Sequence, residues 1–489
     1  MSAEMAIAVA ILLPALGALL VALLGQSPNL RDGAMLLVAT ATFIVVCTLY
    51  PEVASGGRPT LHLLEVLPGL DLAFQIEPLG MLFSLVASGL WILTSLYAIG
   101  YMRGHHEENQ TRFFAFFAVA ISAALAAAFS GNMLTLFFSY EVLTLSTYPL
   151  VTHHRTPEAL RAGRIYMGIL LSTSIGLLLL GVLLTYHVAG TLSFIQGGIL
   201  AGYATPLMTG VLLFLYAYGT GKAALMPIHR WLPNAMVAPT PVSALLHAVA
   251  VVKTGVFTIV KVVVYIFGID HLSSTGFHIY LAYIAGGTIV LSSLVAMQQD
   301  NLKARLAYST ISQLSYIVLG AALANAHGIL GAGLHIAMHA FGKITLFFCA
   351  GAIMVALHKT EISDMRGIGR QMPFTMAAFI IGSLSIIGVP PLGGSWSKWY
   401  LALGAADTSH LLLVGVLMLS SLLNIAYLLP IPARAFFSKA TGDDGHHGEG
   451  LHEAPLFCLI PLCLTALGCV LLFFFTDPIY QLLAPIVQP

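Results

Sequence analysis

Charge is what this chain has least of. Asp, Glu, Lys and Arg make up 8% of its 489 residues, while hydrophobic residues make up 58%. Charged residues are normally about a quarter of a soluble protein, so this composition, with a mean hydropathy of +0.92, excludes an ordinary soluble domain. Metal and redox signatures are missing too. The five cysteines (Cys47, Cys349, Cys458, Cys463 and Cys469) lie in apolar segments without a C-x-x-C pair, which offers neither a zinc nor an iron–sulfur pattern. No G-x-G-x-x-G or P-loop motif occurs either. No cofactor is expected, and nucleic acid is not an expected partner. Any energy source must then be another subunit or an ion gradient.

What the chain does have is apolar runs of about 20 residues, the length that crosses a bilayer as a helix. Fourteen are predicted, near 5–24, 33–50, 76–100, 111–130, 131–152, 164–188, 207–226, 241–267, 277–298, 303–323, 328–357, 373–403, 409–437 and 454–475. The first reads as a span and not a signal peptide, since Glu4 and no Lys or Arg precedes it. The polar stretch 441–450, which contains His446 and His447, reads as a solvated linker because its spacing matches no usual ligand set. One transmembrane domain, 1–489, is expected, organised as 5–110, 111–267, 277–437 and 454–489.

Setting aside the five lysines inside spans, 15 of the 20 Lys and Arg residues fall in loops, and only Arg58 follows an even-numbered span. Basic loops stay in the cytoplasm. The expectation is a multi-pass protein of the cell inner membrane with both termini on the periplasmic side.

Two spans are interrupted. Pro227, Pro233, Pro239 and Pro241 punctuate the join of the seventh and eighth, and Pro390, Pro391, Gly393 and Gly394 break the twelfth. Proline removes a backbone donor and clashes with the preceding turn. Irregular backbone at that depth must be buried in protein or line a wet cavity. Spans four to eight and nine to thirteen each place a broken helix fourth, with a lysine and a tryptophan nearby (Lys222 and Trp231; Lys398 and Trp396). Paired interruptions in corresponding positions point to inverted five-helix repeats around a transport site.

The few intramembrane ionisable groups are the candidate site. A charge at the bilayer centre costs about 2.5–3.5 kcal/mol on insertion scales, so such residues are functional by default. Glu141 heads a stripe with Thr144 and Tyr148 at helical spacing. Lys222 lies one turn before Pro227, and buried ammonium groups titrate readily. His247 and Lys253 follow in span eight; a packing hydrogen bond and a counter-ion role are the alternatives for these two. Lys261, about two turns from the span end, reads as snorkelling to the interface. His335, His339 and Lys343 recur at i, i+4 and i+8 on one face. Ser309, Ser312, Gln313 and Tyr316 form a polar stripe on span ten, and Lys398 lies beyond the second break. The set reads as a proton or cation path.

The segments GKAALMPIHRWLPNAMVAPTPVSALLHAVAVVKTGVF and DNLKARLAYSTISQLSYIVLG, with the H-x3-H-x3-K run, resemble the proton-conducting antiporter-like membrane subunits. That superfamily includes complex I antiporter-like subunits, membrane-bound hydrogenases and Mrp-type cation/proton antiporters. The resemblance spans roughly 76–437 and implies fourteen helices with inverted repeats. It implies proton-transfer roles for Glu141, Lys222, His247, Lys253, His335, His339, Lys343 and Lys398, with other membrane subunits as partners and H+ and Na+ or another monovalent cation as cargo. Size and the FFSYEVLTLSTYPLV segment most resemble the Mrp D subunit, whereas the His247 motif is similar to the larger subunits. Two readings stay open on the residues alone: one module of a cation/proton antiporter, or the pumping subunit of a redox-driven complex. A coupling subunit of a bicarbonate-uptake complex is a third.

Overall fold

The computed structural model describes residues 2–67, 70–245, 249–438 and 450–488. His247 and most of the histidine-bearing linker lie outside the described residues. Ten helices among the described residues are long and apolar enough to cross a membrane, or eleven if one bent pair counts as a single span. Fourteen were expected, and the four predicted spans outside the ten are informative. Pro206–Gly219 and Pro373–Ile387 are apolar but short, because each is cut off by a break. Val251–Val262 runs on to Phe267 and then turns by 87° into Ile269–Thr275. Leu302–Ala322 is 21 residues long but carries Lys303, Arg305, Ser309, Ser312 and Gln313. The spans that are too polar or too irregular to qualify are those that carry Lys222, Lys253, the span-ten stripe and Lys398.

At the first break, helical geometry ends at Gly219, a short tight turn Gly221–Ala223 follows, and Ala224 adopts a left-handed φ of +54°. The Trp231 indole donates to the Gly221 carbonyl at 3.0 Å and staples the opened turn. At the second, Pro373–Ile387 stops at Gly388, whose φ of +90° suits glycine, and the helix resumes over Gly394–Asp407. A Cβ on Gly394 would sit 1.9 Å from the Ser385 carbonyl oxygen, so no larger residue fits there.

One feature is not helical. Strands Thr60–Leu67 and Leu70–Gln75 pair antiparallel, with Thr60 opposite Gln75, between the second and third long helices. The hairpin packs at the end of the bundle where Asn132 donates to the Asp71 carbonyl at 2.7 Å. The opposite end gathers basic and polar groups: Arg31 and Arg103 grip buried Asp32, and Arg305 holds the Gln299 carbonyl.

The helix Ala326–Leu357 is the axis of the second half. It is buried over most of its 32 residues and packs on Leu302–Ala322, Pro373–Ile387, Gly394–Asp407 and Leu456–Phe474. The rim is the reverse: Leu12, Leu16 and Leu19 on Ala3–Leu23 and Leu411, Met418 and Leu422 on Leu411–Leu428 are exposed. Apolar outside and polar inside is the arrangement a lipid solvent selects.

Candidate functional site

Lys222 is fully buried. Its Nζ donates to the Tyr140 carbonyl at 2.8 Å and to Thr144 Oγ1 at 2.5 Å, and lies 3.0 Å from the Tyr140 ring centroid. Its backbone N–H is received by the Tyr140 hydroxyl at 3.1 Å. The break delivers the lysine to this spot. Gly221 and Gly255 admit the close approach, since a Cβ on Gly255 would lie 2.4 Å from the Ala223 nitrogen.

Glu141 follows Tyr140 on Met133–Val151 and lies outside the hydrogen-bond cradle of Lys222. It is half-buried, flanked by exposed Phe138, Val142 and Leu145, and it forms no ion pair among the described residues. Its Oε1 is enclosed without a hydrogen-bond partner there. Thr144 of the predicted stripe serves Lys222, and Tyr148 packs near Gly163.

The second cluster is continuous. Lys253 Nζ meets His339 Nδ1 in a short hydrogen bond. The His339 and His335 rings stack with centroids 5.6 Å apart, and His335 stacks in turn on Tyr316 at 5.6 Å. His335 Nδ1 is 2.8 Å from Ser397 Oγ. The next residue, Lys398, places its Nζ 4.8 Å from the Tyr316 ring centroid and 3.0 Å from the Ile387 carbonyl. That carbonyl ends Pro373–Ile387, where the helix dipole favours a cation. Lys343 turns aside to Ser309 Oγ at 2.5 Å, which also accepts from the Tyr427 hydroxyl at 2.9 Å. Between these groups, both amide atoms of Gln313 are enclosed with no partner among the described residues.

Lys261 departs from the snorkelling expectation. It is fully buried, 3.2 Å from Glu77 Oε1 and 2.8 Å from the Ser130 carbonyl, with the Phe194 ring centroid at 4.5 Å. Glu77 also caps Pro78–Gly104, accepting from the Leu79 and Gly80 amides, and receives the Tyr265 hydroxyl at 3.0 Å. A lysine with a buried carboxylate beside it has no need to reach the interface. The span-ten stripe already contained Tyr316, whereas Tyr140 and Ser397 were not among the sequence candidates. Tyr140 carried a usable signal, since it occupies the helix that faces the first break.

The comparisons bear on what this arrangement belongs to. Residues 130–424 match the family described as NADH:quinone oxidoreductase/Mrp antiporter, transmembrane, and residues 69–114 match the complex I chain 5 N-terminus family. The chain belongs to the NADH:quinone oxidoreductase/Mrp antiporter family. The NADH-quinone oxidoreductase subunit N of Desulforudis audaxviator is 32% identical over 474 residues, covering 93% of this chain and 92% of its own. Subunit L of Mycobacterium tuberculosis is 32% identical across 82% of this chain; the match spans 62% of that relative's length. The A/B component of a probable K(+)/H(+) antiporter from Rhizobium meliloti is 30% identical over 88% of this chain and 43% of its own. Among solved structures, a chain of the archaeal membrane-bound sulfane sulfur reductase superposes with a TM-score of 0.87 at 24% identity, covering 98% of this chain and 97% of its own. A chain of the Mrp complex from Dietzia sp. gives 0.86 at 21%, covering 100% and 97%. These structural likenesses establish that this family member shares its fold with subunits of membrane complexes.

Proposed function

We propose that this chain is the proton-translocating membrane subunit of a multisubunit complex. The observation that carries the reading is the file of neighbouring side chains Lys253, His339, His335 and Ser397, with Lys398 next in the chain over the Tyr316 ring, which links the spans around both breaks. Lys222, held by Tyr140 and Thr144, supplies the first site, and Glu141 is the acid at its outer edge. A buried ammonium is destabilised by desolvation, so it exchanges protons far more readily than in water. Moving one elementary charge through 100 mV releases about 2.3 kcal/mol, of the size needed to shift such a group by between one and two pKa units.

The complex is of the Mrp type, with this chain in the D position, H+ flowing against Na+ or another monovalent cation, in the cytoplasmic membrane with both termini outside. The alternative, a redox-driven pump, is favoured by end-to-end coverage of the subunit N relative. A visible spectrum of the complex purified through this chain separates them. Iron–sulfur or flavin absorbance identifies the redox machine; a colourless complex that generates a cation-dependent ΔpH in vesicles identifies the antiporter. Wild-type vesicles that move no protons under either driving force would sink the reading.

A further inference from the structure

A cluster outside the relay does a job the relay itself needs. Glu107, in the turn after Pro78–Gly104, is nearly closed off, its side chain 6% exposed. Three imidazoles converge on its carboxylate. His154 Nε2 is 3.1 Å from Oε2, His105 Nδ1 is 3.2 Å from Oε1 and His153 Nε2 is 3.8 Å from Oε2. Lysine and arginine stand behind them: Lys303 and Lys359 line the cavity below, Arg155 the vestibule above, and Arg112 holds the His153 carbonyl.

Its position in the fold is the telling part. On the solvent side, His105, Glu107, His153 and His154 line an open vestibule of about 510 Å³. On the inner side, His105, Glu107 and His154 line a second cavity of about 180 Å³. These three residues therefore form the wall that the two cavities share. The floor of the inner cavity includes Tyr101 and Thr240, whose hydroxyls are 3.5 Å apart. Thr240 opens the short helix Thr240–Ala244, in the same predicted span as Lys253. The same wall contains the Val237 and Ala238 backbone of the break, and Lys303 Nζ donates to the Ala238 carbonyl at 2.6 Å.

We propose that Glu107 with His105, His153 and His154 forms a proton-exchange port, passing protons between solvent and the first broken span. The inference rests on the proton-translocating reading above. The exchange is a simple transfer. His154 takes a proton from a solvent acid at the vestibule and releases it to water entering the inner cavity, and the Glu107 carboxylate stabilises the imidazolium in between. Histidine suits this because its ordinary pKa lies close to the working pH. Burial keeps the neighbouring His153 down at about 4, so it stays neutral while its hydrogen-bonded neighbour holds the charge.

The test uses the assembled complex in vesicles with weak external buffer at pH 8. Glu107→Gln and His154→Gln are each expected to slow proton movement by on the order of tenfold to a hundredfold, as loss of a positioned proton-transfer group does. Added imidazole, a diffusible proton carrier, is expected to restore the rate in the variants and to leave wild type unchanged. Wild-type rates in both variants, or slowed rates that imidazole does not restore, overturn the port. Should Glu107→Gln fail to assemble, His154→Gln carries the test, its side chain being 37% exposed. A wild-type complex that moves no protons overturns the underlying reading, an outcome distinct from a port that fails in an active complex.

Discussion

Lys253 and His339 meet amine to imidazole across 86 residues of chain, and this contact joins the first broken segment to the axial helix of the second half. A proton on one must be counted against the other. Lys253→Met and His339→Phe are therefore expected each to slow proton movement severely without ending it, and the double variant to lose no more than either single. Groups acting as one unit are non-additive. Vesicle ΔpH measurements on the three variants check this, and independent, multiplying losses would contradict it.

Lys222→Ala in a correctly assembled complex is expected to abolish coupled transport. Thr144→Val removes only one acceptor of its ammonium and leaves the Tyr140 carbonyl, so it should slow transport without ending it. Unchanged transport in Lys222→Ala would remove that residue from the path.

Glu77→Gln should be a stability variant. It removes the charge partner of buried Lys261, and breaking a buried pair from one side costs about 3–5 kcal/mol. Glutamine keeps part of the cap on Leu79 and Gly80, so the loss should exceed that of a capping change alone, about 1 kcal/mol. Lys261→Met with Glu77→Gln should recover part of it. Thermal unfolding of the complex in lipid nanodiscs measures both.

The His154–Glu107 tie has a pH window. The hydrogen bond to Glu107 raises His154 above its ordinary 6.5 against the pull of burial, so its contribution is complete below that value and fades as pH rises through the raised one. Burial would lift Glu107, but the hydrogen bond and charge of His154, with His153 and His105, hold it below its ordinary 4.5. Its contribution is complete above 4.5 and fades as pH falls through the lowered value. The stability gap between wild type and His154→Gln should then be widest between 4.5 and 6.5 and close toward alkaline pH. A gap that grows as pH rises above 6.5 would contradict the pairing.

Residue types and their order determined a good deal by themselves. An apolar run long enough to span a bilayer must be a helix there, because no water satisfies its backbone. Prolines at 227 and 390 must interrupt such a helix, and a lysine left inside one must find a polar surrounding. So the membrane class, the two breaks and the lysines were legible from the chain alone. The hairpin was half legible, in the Pro68-Gly69 dipeptide between two runs that favour strands, but its 8 and 6 residues are too short to stand out against long apolar spans.

Only the tertiary structure decided who partners whom. Helical spacing put Glu141 near Lys222, yet the hydrogen bonds to the ammonium come from Tyr140 and Thr144 and not from the carboxylate. Lys261 looked like an interface residue until Glu77 arrived from a helix start far away in sequence. The port is the same case: His105, Glu107, His153 and His154 sit in two unremarkable polar turns, joined only because their helices end side by side. A buried charge is stabilised by whatever dipole or counter-charge lies within a few ångströms, and those neighbours come from elements that only packing brings together.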